Sequence, residues 1–282
     1  LQINFYFCLR MTDKLILSTP DFEETLVKEY DLNLEISANS FNYSIIDANH
    51  KAVKSVAHIP SLIYNFVNGS ILQNSFKKIK IAVLSQKFTF IPLSIYQEKD
   101  LNNYSVYLNP TDNENVYVQK VIHQDLVIIY TLPKLQVDKL EHLFPNATIY
   151  PQFVPLNSAL HFAYQQINFS QLFINFKTEG FLEISLIDNQ KFIFYNIFSY
   201  QNIEEMMYFI LLSLQQNQIR PSRVTVKISG EIAIDDDKHQ KLKKEFPNTE
   251  FIDQDCLPLT FKGLGEPVVA RFLSLLSLHL CE

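Results

Sequence analysis

The stretch that decides the fold is Leu172-Phe-Ile-Asn-Phe-Lys-Thr-Glu-Gly180, followed by Phe181-Leu-Glu-Ile-Ser-Leu-Ile-Asp188 and Lys191-Phe-Ile-Phe-Tyr-Asn-Ile-Phe198. Each run is rich in aromatic and β-branched residues and is bounded by polar turn residues, which predicts three successive strands. Asn202-Ile-Glu-Glu205 then predicts a helix start, because Asn accepts from the free amides of a first turn and a Glu three residues on closes a capping box. A further strand, Val224-Thr-Val-Lys-Ile228, and the turn Ser229-Gly230-Glu231 complete the unit.

The same order appears once before, between Leu32 and Lys87. Leu32-Asn-Leu-Glu-Ile36, Phe41-Asn-Tyr-Ser-Ile-Ile46 and Ala52-Val-Lys-Ser-Val-Ala57 read as strands, a helix follows Pro60, and Ile79-Lys-Ile-Ala-Val-Leu84 is the next strand. Two landmarks align the copies: Ser44-Ile-Ile-Asp47 with Ser185-Leu-Ile-Asp188, and Val83-Leu-Ser-Gln-Lys-Phe-Thr-Phe-Ile91 with Lys227-Ile-Ser-Gly-Glu-Ile-Ala-Ile-Asp235. A repeated β-β-β-α-β-α unit predicts an α/β protein of two lobes, each a mixed sheet with flanking helices, facing across a cleft. The expected division is 11–167 for the first lobe, with strands 116–150 inserted in it, and 168–282 for the second. Helices are expected from Thr19-Pro20 to about Tyr30 and from Pro92 to Leu108. A last helix after Pro267, with Val268, Val269, Phe272, Leu275 and Leu276 on one face, is expected to return to the first lobe.

Composition narrows the function. The chain has 282 residues, 47% hydrophobic and 19% charged, enough to build a core without staples. A net charge of −6 with no long basic run argues against nucleic acid as the partner. Cysteines stand at 8, 256 and 281 with no Cys-x-x-Cys, so neither a disulfide framework nor a zinc site is expected, and a reducing compartment fits. Seven His show no ligand spacing, so no metal is expected. Apolar runs such as Met206-Met-Tyr-Phe-Ile-Leu-Leu-Ser-Leu214 are too short to span a bilayer, and the expected location is cytoplasmic. Residues 1–10, ahead of Met11, read as a non-native or upstream leader.

The duplicated unit resembles the actin-like ATPase superfamily of ribonuclease H-like lobes, which includes actin, sugar kinases and the actin-like pilus-assembly and type II secretion proteins. Within it the chain is most similar to bacterial proteins of unknown function with this fold. The resemblance implies an ATP site made of two Asp-x-Gly hairpins and a glycine-rich adenosine loop. Carried over, the first hairpin has Glu35 at the Asp position and Ser37 at the Gly position. The second has Asn175 and Lys177 there, with Thr178 and Gly180 beside them. The adenosine loop keeps Gly230 alone, in Ser229-Gly230-Glu231. Glycine lets backbone amides approach phosphates, and Ser37 and Lys177 carry a Cβ that obstructs this. Asn175 supplies neither a base nor a charged magnesium ligand. Five glycines, at 69, 180, 230, 263 and 265, are too few for the full set of loops.

The remaining candidates have plainer readings. Asp47 and Asp188 end strands at turns. Asp235-Asp-Asp237 caps a helix. Gly263-Leu-Gly265 is a flexible turn ahead of a helix, and His161 and His279 pack on apolar faces. Lys177 in the cleft is a cation where phosphate would sit, able to bind an anion or replace magnesium. The expectation is therefore a binding or scaffold module with a protein partner, no cofactor, no catalytic residue and a degenerate nucleotide site at Glu35, Ser37, Asn175, Lys177, Thr178, Gly230 and Glu231. The alternative is a divergent ATP-binding protein with ATPase or kinase-type phosphoryl transfer.

Overall fold

The computed structural model describes residues 13–164, 166–264 and 267–281. The leader, Cys8 and Gly265 lie outside the described residues. The chain begins with β1 (Leu15–Ser18), β2 (Asp31–Ile36), β3 (Phe41–Asp47), β4 (Ala52–Ile59), α1 (Ile63–Phe66) and β5 (Lys78–Val83). It continues with β6 (Phe88–Pro92), α2 (Leu101–Ser105), β7 (Glu114–Val121), β8 (Leu126–Pro133), α3 (Lys134–Leu143), β9 (Ala147–Pro151) and α4 (Phe153–Tyr164). The second lobe contains β10 (Gln171–Phe176), β11 (Phe181–Asp188), β12 (Lys191–Ser199), α5 (Ile203–Gln216), β13 (Thr225–Gly230), α6 (Asp237–Glu245), β14 (Thr249–Phe251) and α7 (Pro267–Ser277).

The two large sheets are copies of one plan. One runs β1-β4-β3-β2-β5-β9 and the other β12-β11-β10-β13-β14. With β1 set aside, both have two antiparallel neighbours on one side of the central strand and two parallel ones on the other. The duplication extends to an irregularity. The register slips between Ile45 and Ile46 where β3 meets β4, and between Leu186 and Ile187 where β11 meets β12. These are matching positions in Ser44–Asp47 and Ser185–Asp188, so both copies carry the same bulge.

The second landmark aligns differently. Ile36 pairs with Val83 and Phe176 with Gly230, so Val83 takes the place of Gly230 and not of Lys227. The sequence match is three residues out of register because it rests on the Ser that follows an apolar residue in both Leu84-Ser85 and Ile228-Ser229. The extra strands also divide differently from 116–150. β6, β8 and β7 form a separate three-stranded sheet that starts at Phe88, whereas β9 joins the six-stranded sheet beside β5.

Two expected helices are reduced to turns. The segment after Thr19-Pro20 forms only a 3-10 helix, Glu24–Glu29, and 92–108 forms α2 flanked by 3-10 turns. Neither has the sustained apolar face that carries a helix through tertiary packing. By contrast α5 starts as expected: Asn202 Oδ1 accepts from the Glu205 amide at 2.9 Å, and Glu205 Oε2 reaches back to the Gln201 amide at 2.9 Å. Met206, Ile210 and Leu214 on its inner face cover the five-stranded sheet.

The terminal helix is the joint between the lobes. α7 packs on α4, β13, β2 and β3. Val269, Leu275 and Leu276 are fully buried there, in the same core as β2 and β3 of the first lobe and Phe173 and Ile187 of the second. Lys80 from β5 secures its far end by donating to the carbonyls of Leu278, at 3.1 Å, and Cys281.

Candidate functional site

The central strands β2 and β10 place the candidate residues. Glu35 and Asn175 are each next to last in their strands, and each faces a hairpin partner across the antiparallel pair: Asn42 for Glu35 and Glu183 for Asn175. Each hairpin thus sets a polar pair across neighbouring strands near the end of its central strand. Lys177 follows directly after β10, in extended backbone at φ −98° and ψ 158°.

The Lys177 ammonium has three partners. It donates to Glu35 Oε1 of the first lobe and to Ser274 Oγ of α7 at 3.2 Å, and it forms an ion pair with Glu183 Oε2 of the second lobe at 3.2 Å. The carboxylates are held in turn. Glu35 Oε2 accepts from Asn42 Nδ2 at 2.9 Å, and Asn42 Oδ1 meets His58 Nδ1 at 2.8 Å. Glu183 accepts from Asn175 Nδ2 and from the Tyr195 hydroxyl, each at 2.6 Å. Asn175 Oδ1 accepts from Ser229 Oγ at 2.9 Å, and Gln152 Nε2 donates to the Tyr195 oxygen at 3.3 Å. A continuous polar chain therefore crosses from β4 of the first lobe to β12 of the second with Lys177 at its middle.

Charge follows from that geometry. Burial alone would raise the Glu35 carboxyl, but the Lys177 ammonium and the hydrogen bonds from Lys177 and Asn42 outweigh it and hold the pKa below its ordinary value. Burial would likewise lower Lys177, yet Glu183 and Glu35 together hold it well above the ordinary lysine value. Both groups are ionised at neutral pH. Burial and the Glu183 charge push the Tyr195 hydroxyl well up. The Glu231 carboxyl is raised by burial, which the Arg271 guanidinium, 3.4 Å away, only partly offsets.

The cleft at this point is small. A pocket lined by Glu35, Ser37, Leu84, Gln152, Lys177 and Thr178 has a volume of about 10 Å³, the room of one water molecule. Thr178 Oγ1 lies 3.3 Å from Ser37 Oγ and 3.4 Å from Ser40 Oγ, so the two loop tips touch directly. Gly230 has a packing reason to be glycine. Its φ is +87°, and a Cβ there would stand 2.0 Å from the Phe176 carbonyl oxygen and 2.8 Å from Asn175 Oδ1. The turn is pressed onto β10, and the Glu231 amide donates to that same Phe176 oxygen at 2.8 Å.

Of the seven sequence candidates, Glu35, Ser37, Lys177 and Thr178 line the cleft pocket, Asn175 lies in the polar network, Gly230 packs on β10 and Glu231 pairs with Arg271. The network itself needs residues that sequence reasoning did not single out: Glu183, Tyr195, Asn42, His58 and Ser274. One signal was available for Glu183, an acid in the middle of the mainly apolar strand Phe181–Asp188. The plainer readings of the other acids fit their contacts. Asp47 accepts from the amides of Asn49 and His50 in its turn, and Asp236 caps α6 by accepting from the His239 amide at 2.8 Å. Among the described residues no cluster of His, Cys, Asp and Glu is arranged to hold a metal ion, and no helix is long and apolar enough to cross a membrane.

Residues 19–249 match the family model described as a protein of unknown function, DUF3822. The chain belongs to this family. No functionally curated protein matches the DUF3822 chain. Among solved structures it is similar to a Bacteroides thetaiotaomicron protein with an actin-like ATPase fold and unknown function. The two are 20% identical with a TM-score of 0.77, over 93% of this chain and 99% of that one. It is also similar to the PilM-PilN type IV pilus biogenesis complex, at 13% identity and a TM-score of 0.64, over 89% of this chain and 99% of that one. The DUF3822 chain therefore has the actin-like ATPase fold.

Proposed function

We propose that this DUF3822 protein is a non-catalytic binding module in which the nucleotide cleft of the fold has become an internal brace. The observation that carries this is the Lys177 ammonium, engaged by Glu35, Glu183 and Ser274, at the position the superfamily gives to glycine beside the phosphates. A tethered cation there supplies the positive charge that magnesium brings to such a cleft, and needs no phosphate to hold it. The volume of about 10 Å³ left over is far below the roughly 300–1,000 Å³ of ligand pockets. A partner then binds elsewhere on the surface, and the partner is a protein. PilM, a protein of the same fold, occurs in a complex with PilN, which supports that use of the architecture. In this reading the lobes divide as 11–167 and 168–282, and the protein works in the cytoplasm.

A thermal-shift panel of ATP, ADP, GTP and AMP, with and without magnesium, tests the proposal. The expected result is no change in Tm with any of them. A magnesium-dependent rise that Glu35→Ala removes would instead establish the protein as a divergent nucleotide binder.

A further inference from the structure

Apart from the cleft, the first lobe carries a groove with a volume of about 250 Å³. Its walls come from three separate elements. The end of β2 and the loop after it give Ile36 and Ser37, the approach to α1 gives Leu62 and Tyr64, and the start of α3 gives Pro133, Leu135 and Lys139. Leu62 and Leu135 are 40% and 65% exposed, so two large apolar side chains stand open to solvent in one concavity. Scattered exposed leucines need no explanation, but two converging on a groove do.

The groove also has a sign. Among the described residues lining it, Lys139 alone is charged, although the chain as a whole carries −6. Its ammonium lies 5.0 Å from the centroid of the Tyr64 ring, held over the aromatic face by cation–π attraction. α3 begins at the rim with Pro133 as its N-cap, no side-chain cap and no acid in its first turn. The positive end of that helix therefore adds to Lys139 instead of being neutralised. At about 250 Å³ the space is below the size of a cofactor pocket and suits one or two side chains of a peptide.

We infer that this groove docks a short segment of a partner protein in which an apolar side chain stands next to a carboxylate, the apolar group lying against Leu62 and Leu135 and the carboxylate meeting Lys139. The inference rests on the reading of the protein as a binding module and names the class of segment it binds. It also accounts for the division of labour in the fold. Ile36 and Ser37 border both the groove and the braced cleft, so the brace fixes one wall of the groove.

Fluorescence polarisation with the full chain tests it, using two pooled libraries of labelled octapeptides. Both are randomised over Leu, Ile, Phe and Ser, one with two fixed Glu and the other with two fixed Lys. The Glu library is expected to bind and the Lys library not. Lys139→Glu should weaken the Glu library by about tenfold or more and admit the Lys library. Leu135→Ser should weaken the Glu library with the Tm unchanged, because that side chain is exposed. Equal binding of both libraries, binding of neither, indifference to Lys139→Glu, or a dimer of the chain that Leu135→Ser dissolves would each overturn the inference. The nucleotide panel judges the cleft separately, so failure at the groove and failure at the brace are distinguishable.

Discussion

Lys177 of the second lobe and Glu35 of the first share a hydrogen-bonded ion pair, and each side chain is only 10% exposed. The pair joins the two central strands of a duplicated fold at the point where the copies come nearest. Removing one member leaves a buried charge without its partner, which costs more than the intact pair contributes. Lys177→Met is therefore expected to lower the unfolding free energy by about 3–5 kcal/mol. Adding Glu35→Gln to it should recover part of that loss, because one of the two stranded carboxylates is gone while Glu183 keeps its charge against Asn175 and Tyr195. Urea unfolding of the two single variants and the double variant measures the coupling.

The same pair sets a pH window. The Glu35 carboxyl is held below its ordinary value of 4.5, so its contribution is present above pH 4.5 and disappears as pH falls through the lower folded value. The Lys177 ammonium is held above its ordinary 10.5, so its contribution is complete below pH 10.5 and disappears as pH rises through the folded value. Between these limits the brace adds no pH dependence. Lys177→Met should remove the alkaline flank and reverse the acid one, because burial then raises the Glu35 carboxyl and stability grows as pH falls, as read from urea midpoints across pH.

His58 gives a further, separable acid limb. Burial, with a smaller push from the Arg271 guanidinium, lowers its pKa from 6.5 to about 4. A histidine whose folded pKa is depressed stabilises the fold above its unfolded value, and that stability is lost as pH falls from 6.5 towards 4. His58 is 1% exposed, so the loss is on the order of 3 kcal/mol. His58→Gln, which keeps a donor for Asn42 but does not titrate, should remove this limb and leave the part due to Glu35.

Gly230→Ala tests what the surviving glycine is for. A methyl group 2.0 Å from the Phe176 carbonyl oxygen, at φ +87°, forces β10 and the turn apart. The expected cost is at least about 1–3 kcal/mol of stability, in the absence of any nucleotide. A Gly230→Ala protein as stable as the parent would remove the packing explanation.

Much of the fold was legible because strands declare themselves by pattern. Ser44–Asp47 and Ser185–Asp188 aligned correctly, since each is an apolar pair set between a Ser and an Asp, a pattern that a one-residue slip breaks. The match of Val83 to Lys227 slid because an apolar residue followed by Ser occurs in both segments, a pattern too short to fix the register. The site was half legible. Glu35 and Lys177 could be placed by the hairpins, but their meeting depends on how two lobes close, which no local pattern encodes. Ser274, far along the chain on α7, reaches the same ammonium only through that closure. His58 looked unremarkable in a strand until Asn42 linked it to Glu35.

Isothermal titration of magnesium-ATP into the full chain addresses the central claim most directly, since it asks whether the cleft still has room and donors for a polyphosphate. With Lys177 committed to Glu35, Glu183 and Ser274, the expected trace is the heat of dilution alone up to millimolar nucleotide. A saturable isotherm with a micromolar Kd, lost in Glu35→Ala, would contradict it.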